Sequence, residues 1–304
     1  MIYTVTLNPS IDYVVELNQL LPGSIMRNQK EDIVFGGKGI NVSHMLKNLG
    51  LDSCALGFTA GFSGEALRKG VEEYGIATAF LNVPHGFTRI NVKIKAQEES
   101  EINGQGPCIR EEDIVALLQK LDNLQDGDVL VLSGNIGIGM PVTIYQRIMN
   151  QLADKQILMT VDTSGQALQE TLAAHPFLIK PNQAELGEMF DVTIETKEDL
   201  LVYARRLQEL GARNVLVSRA GNGAILLGED GQVYESESPS GNVVNSVGAG
   251  DSMVAGFLYG YLTTHSYAEA LRYGIACGSA TAFSKGIATR EKVEEMIRKM
   301  GENI

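Results

Sequence analysis

The sequence predicts an α/β fold: a mainly parallel sheet flanked by helices on both faces, with a small β-sheet lid over one end. Three observations carry this. Short β-branched runs alternate with longer segments of helical period along nearly the whole chain, the pattern of strand–helix–strand units. Most of these runs are continuously apolar, as strands covered on both faces are. Two further strand-like segments, 12–17 and 88–95, alternate polar and apolar residues instead, which is how a half-exposed antiparallel sheet reads.

Strands are expected over 3–7, 129–132, 157–161, 177–179, 215–218 and 224–227. Helices are expected over 111–124, 141–153, 184–190, 197–210, 251–264, 267–283 and 290–300. Within 197–210, Leu200, Leu201, Ala204, Leu207 and Leu210 form one apolar stripe, and Gly211 stands where a C-cap glycine belongs. A glycine turn at 36–39 opens another helix, with Val42, Met45, Leu46 and Leu49 on one face and Gly50 closing it. The polar-alternating segments place the lid at about 12–35 and 86–104, inserted into a single domain over 1–304. A lid belongs where open α/β sheets bind ligands, and one that excludes water suits transfer of a phosphoryl group.

Composition narrows the function classes. Of 304 residues, 44% are hydrophobic and 20% charged, enough for a sizeable core. The net charge of −12 argues against a nucleic-acid partner, and any phosphate site must concentrate its few cations locally. No apolar run approaches the ~18 residues that span a bilayer. The N-terminus enters a strand without a basic, then apolar, leader, so a cytoplasmic protein is expected. Cys54, Cys108 and Cys277 are scattered, and His44, His85, His175 and His265 lack metal-ligand spacing.

Five segments carry candidate chemistry. Gly248-Ala249-Gly250-Asp251 runs from a β-branched stretch into a helix. Backbone N–H groups can converge there on an anion, and the helix N-terminus adds a positive dipole end. Asp251 at the first turn is either a base beside that anion or an ordinary cap. In Gly37-Lys38-Gly39-Ile40-Asn41, the lysine can reach a ligand with few steric limits, and the Asn41 amide can read hydroxyls. Arg89, Asn91 and Lys93 share one strand face; they supply positive charge to a ligand below or form the solvated side. Glu101 and Asn103 follow them and could bond to the same ligand. Lys180, Asn182 and Glu185 open a helix, where Asn182 and Glu185 are a capping box or sit near hydrated Mg²⁺. Ser218, Arg219, Ala220, Gly221, Asn222 and Gly223 form a tight turn between strands.

In this order the segments resemble the PfkB (ribokinase-like) carbohydrate kinase family over essentially the whole chain. The most specific marks are Gly-Gly-Lys-Gly-x-Asn at 36–41 and Val-Gly-Ala-Gly-Asp at 247–251. Thr6-Leu7-Asn8-Pro9-Ser10-Ile11-Asp12 resembles the branch acting on phosphosugars, and the stretches 88–94 and 101–104 look closest to bacterial 1-phosphofructokinases. The resemblance implies ATP and Mg²⁺ as cofactors and a phosphosugar as substrate. Fructose 1-phosphate comes first, with tagatose 6-phosphate and fructose 6-phosphate as alternatives, and a non-catalytic phosphosugar sensor as the alternative of another class. It implies that Asp251 is the base and that Gly248, Ala249 and Gly250 form the anion hole. Asp12, Gly37, Lys38 and Asn41 would hold the sugar, and Lys38, Arg89 and Lys93 its phosphate. Lys180, Asn182 and Glu185 would lie on the triphosphate–Mg²⁺ side, with Ser218 to Gly223 and Gly278 bordering the nucleotide. The lid would double as a homodimer interface. Two stretches depart from the family pattern: Asn135-Ile136-Gly137-Ile138-Gly139, where Ser-x-Pro-x-Gly is usual, and Arg219-Ala220 within the nucleotide turn.

Overall fold

The computed structural model describes residues 1–301. The first half contains β1 (Ile2–Thr6), β2 (Ser10–Glu16), β3 (Lys30–Gly36), α1 (Lys38–Asn48), β4 (Ser53–Ala60), α2 (Gly61–Glu73), β5 (Ala77–Thr78), β6 (Leu81–Val83), β7 (Arg89–Lys95) and β8 (Glu99–Ile102). Then come α3 (Glu111–Leu121), β9 (Val129–Ser133), α4 (Ile144–Gln151), β10 (Leu158–Asp162), α5 (Gly165–Thr171), β11 (Leu178–Ile179), α6 (Gln183–Met189) and α7 (Lys197–Glu209). The chain continues through β12 (Asn214–Ser218), β13 (Ala224–Leu227), β14 (Val233–Ser236), α8 (Ala249–Thr264), α9 (Tyr267–Ala282) and α10 (Arg290–Gly301).

The main sheet has the order β14-β13-β12-β11-β10-β9-β1-β4-β5, with β6 also on β4. It is parallel from β12 to β5, and β13 and β14 add an antiparallel edge. Central strands are buried on both faces; all five residues of β9 are buried, as its unbroken apolar run requires. One face packs on α3 to α7 through Leu117, Ile148, Leu168, Leu186 and Leu207. The other packs on α1, α8, α9 and α10 through Met45, Val254, Ala276 and Met296. Gly211 takes φ 129°, and a Cβ there would lie 2.0 Å from the Leu172 carbonyl oxygen, so only glycine closes α7 in this way.

The lid is a separate sheet of order β3-β2-β7-β8. A small separate sheet is what the sequence predicts, but its pairing corrects the expectation of an antiparallel one. The two polar-alternating strands, β2 and β7, lie side by side and run parallel, while only the outer pairs are antiparallel. Alternation reports one covered and one open face, whichever way the neighbour runs. The lid rests on α2 through Phe35, whose ring fills the place of a side chain at Gly70: a Cβ there would be 2.0 Å from the ring.

The sheet order reverses around β1: the chain moves to β4 on one side and later to β9 on the other. Crevices at such switch points, at the C-terminal strand ends, are where these folds bind ligands. Asn8 follows β1, Gly134 follows β9, Asp162 ends β10, Lys180 follows β11 and Ser218 ends β12. No helix among the described residues is long and apolar enough to cross a membrane.

Candidate active site

Helix α8 starts at the expected turn. Gly248 has φ 81°, a left-handed conformation, and a Cβ there would lie 2.8 Å from Ile287. Asp251, in the first turn of α8, is only 6% exposed. It does not act as a cap, since α8 has no side-chain cap bond. Its Oδ2 instead accepts a hydrogen bond from Asn41 Nδ2 at 2.7 Å, across 210 residues of chain. Burial, reinforced by the Asp162 carboxylate, pushes the Asp251 carboxyl up to about 6, against the pull of Asn41, Lys38 and Lys180.

The second glycine turn presses against β1. Gly37 has φ 130°, and Cβ atoms at Gly37 or Gly39 would meet the Thr6 side chain at 2.6 Å. This contact brings Lys38 and Asn41 over the strand ends. Lys38 Nζ lies 3.2 Å from Asp162 Oδ1, and Lys180 Nζ lies 3.4 Å from the same oxygen. Lys180 also borders the glycine turn at the start of α8: a Cβ on Gly250 would come 3.1 Å from its Nζ. Asp162 is 2% exposed, and burial favours its neutral form; the two lysines outweigh that and hold its carboxyl below the usual range. The sequence reading missed Asp162 because the expected strand stopped at residue 161. The available signal was a carboxylate at the C-terminal end of an otherwise apolar parallel strand.

On the lid, cross-strand register brings Asp12 opposite Asn91 and Lys93 opposite Glu101. Asp12 Oδ1 accepts from Ser10 Oγ at 2.9 Å and Asn91 Nδ2 at 2.8 Å, while Asp12 Oδ2 pairs with Lys93 at 3.2 Å. Lys93 also meets Glu101 at 3.5 Å. The Oδ1 of Asn91 accepts from the backbone N–H of Gly104 at 3.1 Å, tying the lid to the following loop. The ion pairs of Asp12 and Glu101 thus both run through Lys93. Arg89 is half-buried, its Nε donates to the Asn8 carbonyl at 3.1 Å, and burial pushes its pKa down. Asn103 lies exposed just past β8 and is not drawn into this cluster. Between the lid and the turn before α8 lies a cavity of about 470 Å³, bordered by Asp12, Asn41, Lys93, Glu101 and Val247.

The remaining predicted residues form the far side. Asn182 and Glu185 make a full capping box: Asn182 Oδ1 accepts from the Glu185 N–H, and Glu185 Oε2 accepts from the Asn182 N–H, both at 2.8 Å. Asn182 bridges to Ser218, which sets the turn containing Ala220–Asn222 beside it. The side chain of Arg219 turns back onto its own hairpin, donating to Glu235 at 2.8 Å and to the Asn222 carbonyl at 3.0 Å. Gly278 is buried in α9, where a Cβ would lie 3.2 Å from the Ala249 carbonyl oxygen. It lets α9 pack close behind the glycine turn that opens α8.

A buried carboxylate beside a glycine turn, two ammonium groups and a lid at the sheet's switch point define a group-transfer site for anionic small molecules. Residues 5–293 match the model of the pfkB family carbohydrate kinases. The chain is 46% identical to a 1-phosphofructokinase of Bacillus subtilis, covering 98% of this chain and 97% of the relative. It is 37% identical to a D-tagatose-1-phosphate kinase of Bacillus licheniformis, covering 97% of each. The structure of phosphofructokinase-2 from Escherichia coli in complex with fructose-6-phosphate superimposes with a TM-score of 0.91 at 26% identity, over 99% of both chains. The chain belongs to the pfkB family of carbohydrate kinases. Its fold is the ribokinase-like one that the sequence resemblance implied.

Proposed function

We propose that this kinase transfers the γ-phosphoryl group of ATP to fructose 1-phosphate, giving ADP and fructose 1,6-bisphosphate, with Asp251 as general base. The observation that carries the reading is the buried Asp251 carboxylate, held by Asn41 at the mouth of the glycine turn. Asp251 takes the proton of the sugar's C6 hydroxyl as that oxygen forms its bond to the γ-phosphorus and the bond to the ADP oxygen breaks. The N–H groups of Gly248, Ala249 and Gly250 bear the charge on the migrating group. Asp12, Gly37 and Asn41 orient the sugar, with Asn91 holding Asp12 in place. Arg89 is the phosphate ligand favoured by its surroundings, because Lys93 is already neutralised between Asp12 and Glu101.

Lys180, Asn182 and Ser218 to Gly223 take the triphosphate side, with Gly278 shaping the turn from behind. For Mg²⁺, the capping box engages Glu185 Oε2 and leaves Oε1. One carboxylate oxygen fits an ion that keeps most of its waters and binds chiefly to phosphates. Held there by Glu185, such an ion would supply positive charge to offset that of the triphosphate. Relatives named for two different ketose 1-phosphates favour a 1-phosphate over a 6-phosphate. The reading takes 1–304 as one unit in the cytoplasm, whose lid can pair with that of a second copy. Initial rates with fructose 1-phosphate, tagatose 1-phosphate, tagatose 6-phosphate and fructose 6-phosphate test it. The highest kcat/KM is expected for fructose 1-phosphate; no ADP from any of the four would leave a sensor and overturn the reading.

A further inference from the structure

Asp162 contributes nothing to the reaction as written, yet its position is costly. It sits 2% exposed at the end of a central strand, and its Oδ2 has no hydrogen-bond partner. Its Oδ1 holds two ammonium groups, Lys38 at 3.2 Å and Lys180 at 3.4 Å. These lysines come from different parts of the fold, one from the first residue of α1 and the other from the segment between β11 and α6. Two like charges gathered on one buried oxygen would repel if that oxygen were neutral.

We propose that Asp162 is a positioning residue for phosphoryl transfer, which forks Lys38 toward the sugar side and Lys180 toward the triphosphate from a single buried oxygen. The inference rests on the reading of Asp251 as the base and deepens it. The fork fixes both ammonium groups beside Asp251, so the base, the accepting hydroxyl and the triphosphate share one rigid charge arrangement. Side chains left to find such positions after binding would lose rate through misplacement. The groups acting on Asp251 are Asn41 and Lys38 from α1, Lys180 from beyond β11 and Asp162 from β10. Those acting on Asp162 are the two lysines, with the buried Tyr145 of α4 near enough to feel its charge. Glu185 of α6 acts on Lys38.

The test compares Asp162→Asn and Asp162→Glu with the wild type in two readouts. First, ¹³C NMR of carboxyl-labelled aspartate follows the Asp251 titration in the ligand-free protein, its signal assigned by loss in Asp251→Asn. Removing the Asp162 charge while both lysines stay should let Asp251 titrate about one pH unit lower, and Asp162→Glu should restore it. Second, kcat should fall about 100-fold in Asp162→Asn, with KM rising for both substrates. An unmoved Asp251 titration, or a near-normal kcat, overturns the proposal. Asp162→Ser gives the same comparison if the amide does not fold. Because the titration is read without substrate, a wrong assignment of the sugar would leave it intact.

Discussion

Replacing Asp251 by asparagine should make the protein a poorer enzyme and a more stable one. The carboxyl is held at about 6 instead of its ordinary 3.8, chiefly by burial and then by the Asp162 carboxylate. A carboxyl raised in the folded state favours folding fully only below its unfolded value, and that contribution is lost as pH rises through the folded one. At neutral pH, ionised Asp251 therefore opposes folding by about 3 kcal/mol. The amide is nearly isosteric, carries no charge, and its oxygen can still accept the bond from Asn41 Nδ2. The measurement is urea unfolding of both proteins from pH 4.5 to 8. The variant should gain about 1 kcal/mol already at pH 4.5, gain steadily as pH rises from there to about 6, and level off above it. Groups common to both proteins cancel in the difference. Turnover, assayed with both ligands at saturation, should drop by ~10² or more. A variant no more stable at pH 8 than at pH 4.5 would refute the argument, since the folded environment would then not disfavour the charge.

Arg89→Ala should raise KM for the phosphosugar by about 10- to 100-fold, the scale of a charge-assisted phosphate contact, and change kcat less. Lys93→Ala should act differently, weakening the orientation of Asp12 and so lowering kcat along with the sugar's affinity; equal KM effects from both variants would contradict the division of roles. Gly70→Ala places a Cβ 2.0 Å from the Phe35 ring and must shift the lid. We expect a loss of about 1–3 kcal/mol by thermal melting together with a raised KM, and partial recovery of KM when Phe35→Ala is added. An unchanged KM in Gly70→Ala would show that the Phe35 contact does not set the lid's position.

Legibility in the sequence followed the physics of each segment. The parallel strands stood out because burial on both faces demands unbroken apolar runs, as in β9. β4 did not: its sequence Ser-Cys-Ala-Leu-Gly-Phe-Thr-Ala includes Gly57, where a Cβ would sit 1.9 Å from the Thr6 carbonyl oxygen. Close approach to β1 had replaced the β-branched residues that announce a strand. The glycine turns at 36–39 and 248–250 were legible because their backbone demands glycine. The partners of the functional side chains were not. Asn91 meets Asp12 across 79 residues, and Asn41 meets Asp251 across 210. Only the fold could tell that Lys93 is neutralised, that Arg219 braces its own hairpin, and that Asp251 is a buried partner of Asn41 and not a cap.

If Asp251 is the base, as proposed, these ion pairs also bear on how it survives its own substrates. Two phosphorylated ligands bring several negative charges to a carboxylate already near 6. Uncompensated, each would push it higher, until the base was protonated at the pH where it must work. Lys38 and Lys180 oppose that rise, but a bare ammonium group buried as Lys180 is would be costly in the empty enzyme. Asp162 resolves the conflict by offsetting part of their charge until the phosphates arrive. The same carboxylate also raises Asp251 in the empty site, which keeps the base from becoming too weak to take a hydroxyl proton. A chain of net charge −12 thus handles polyanions by keeping its few site cations in fixed, mostly neutralised pairs. On the proposed reading, Arg89, outside those pairs, is left as the cation for the sugar's own phosphate.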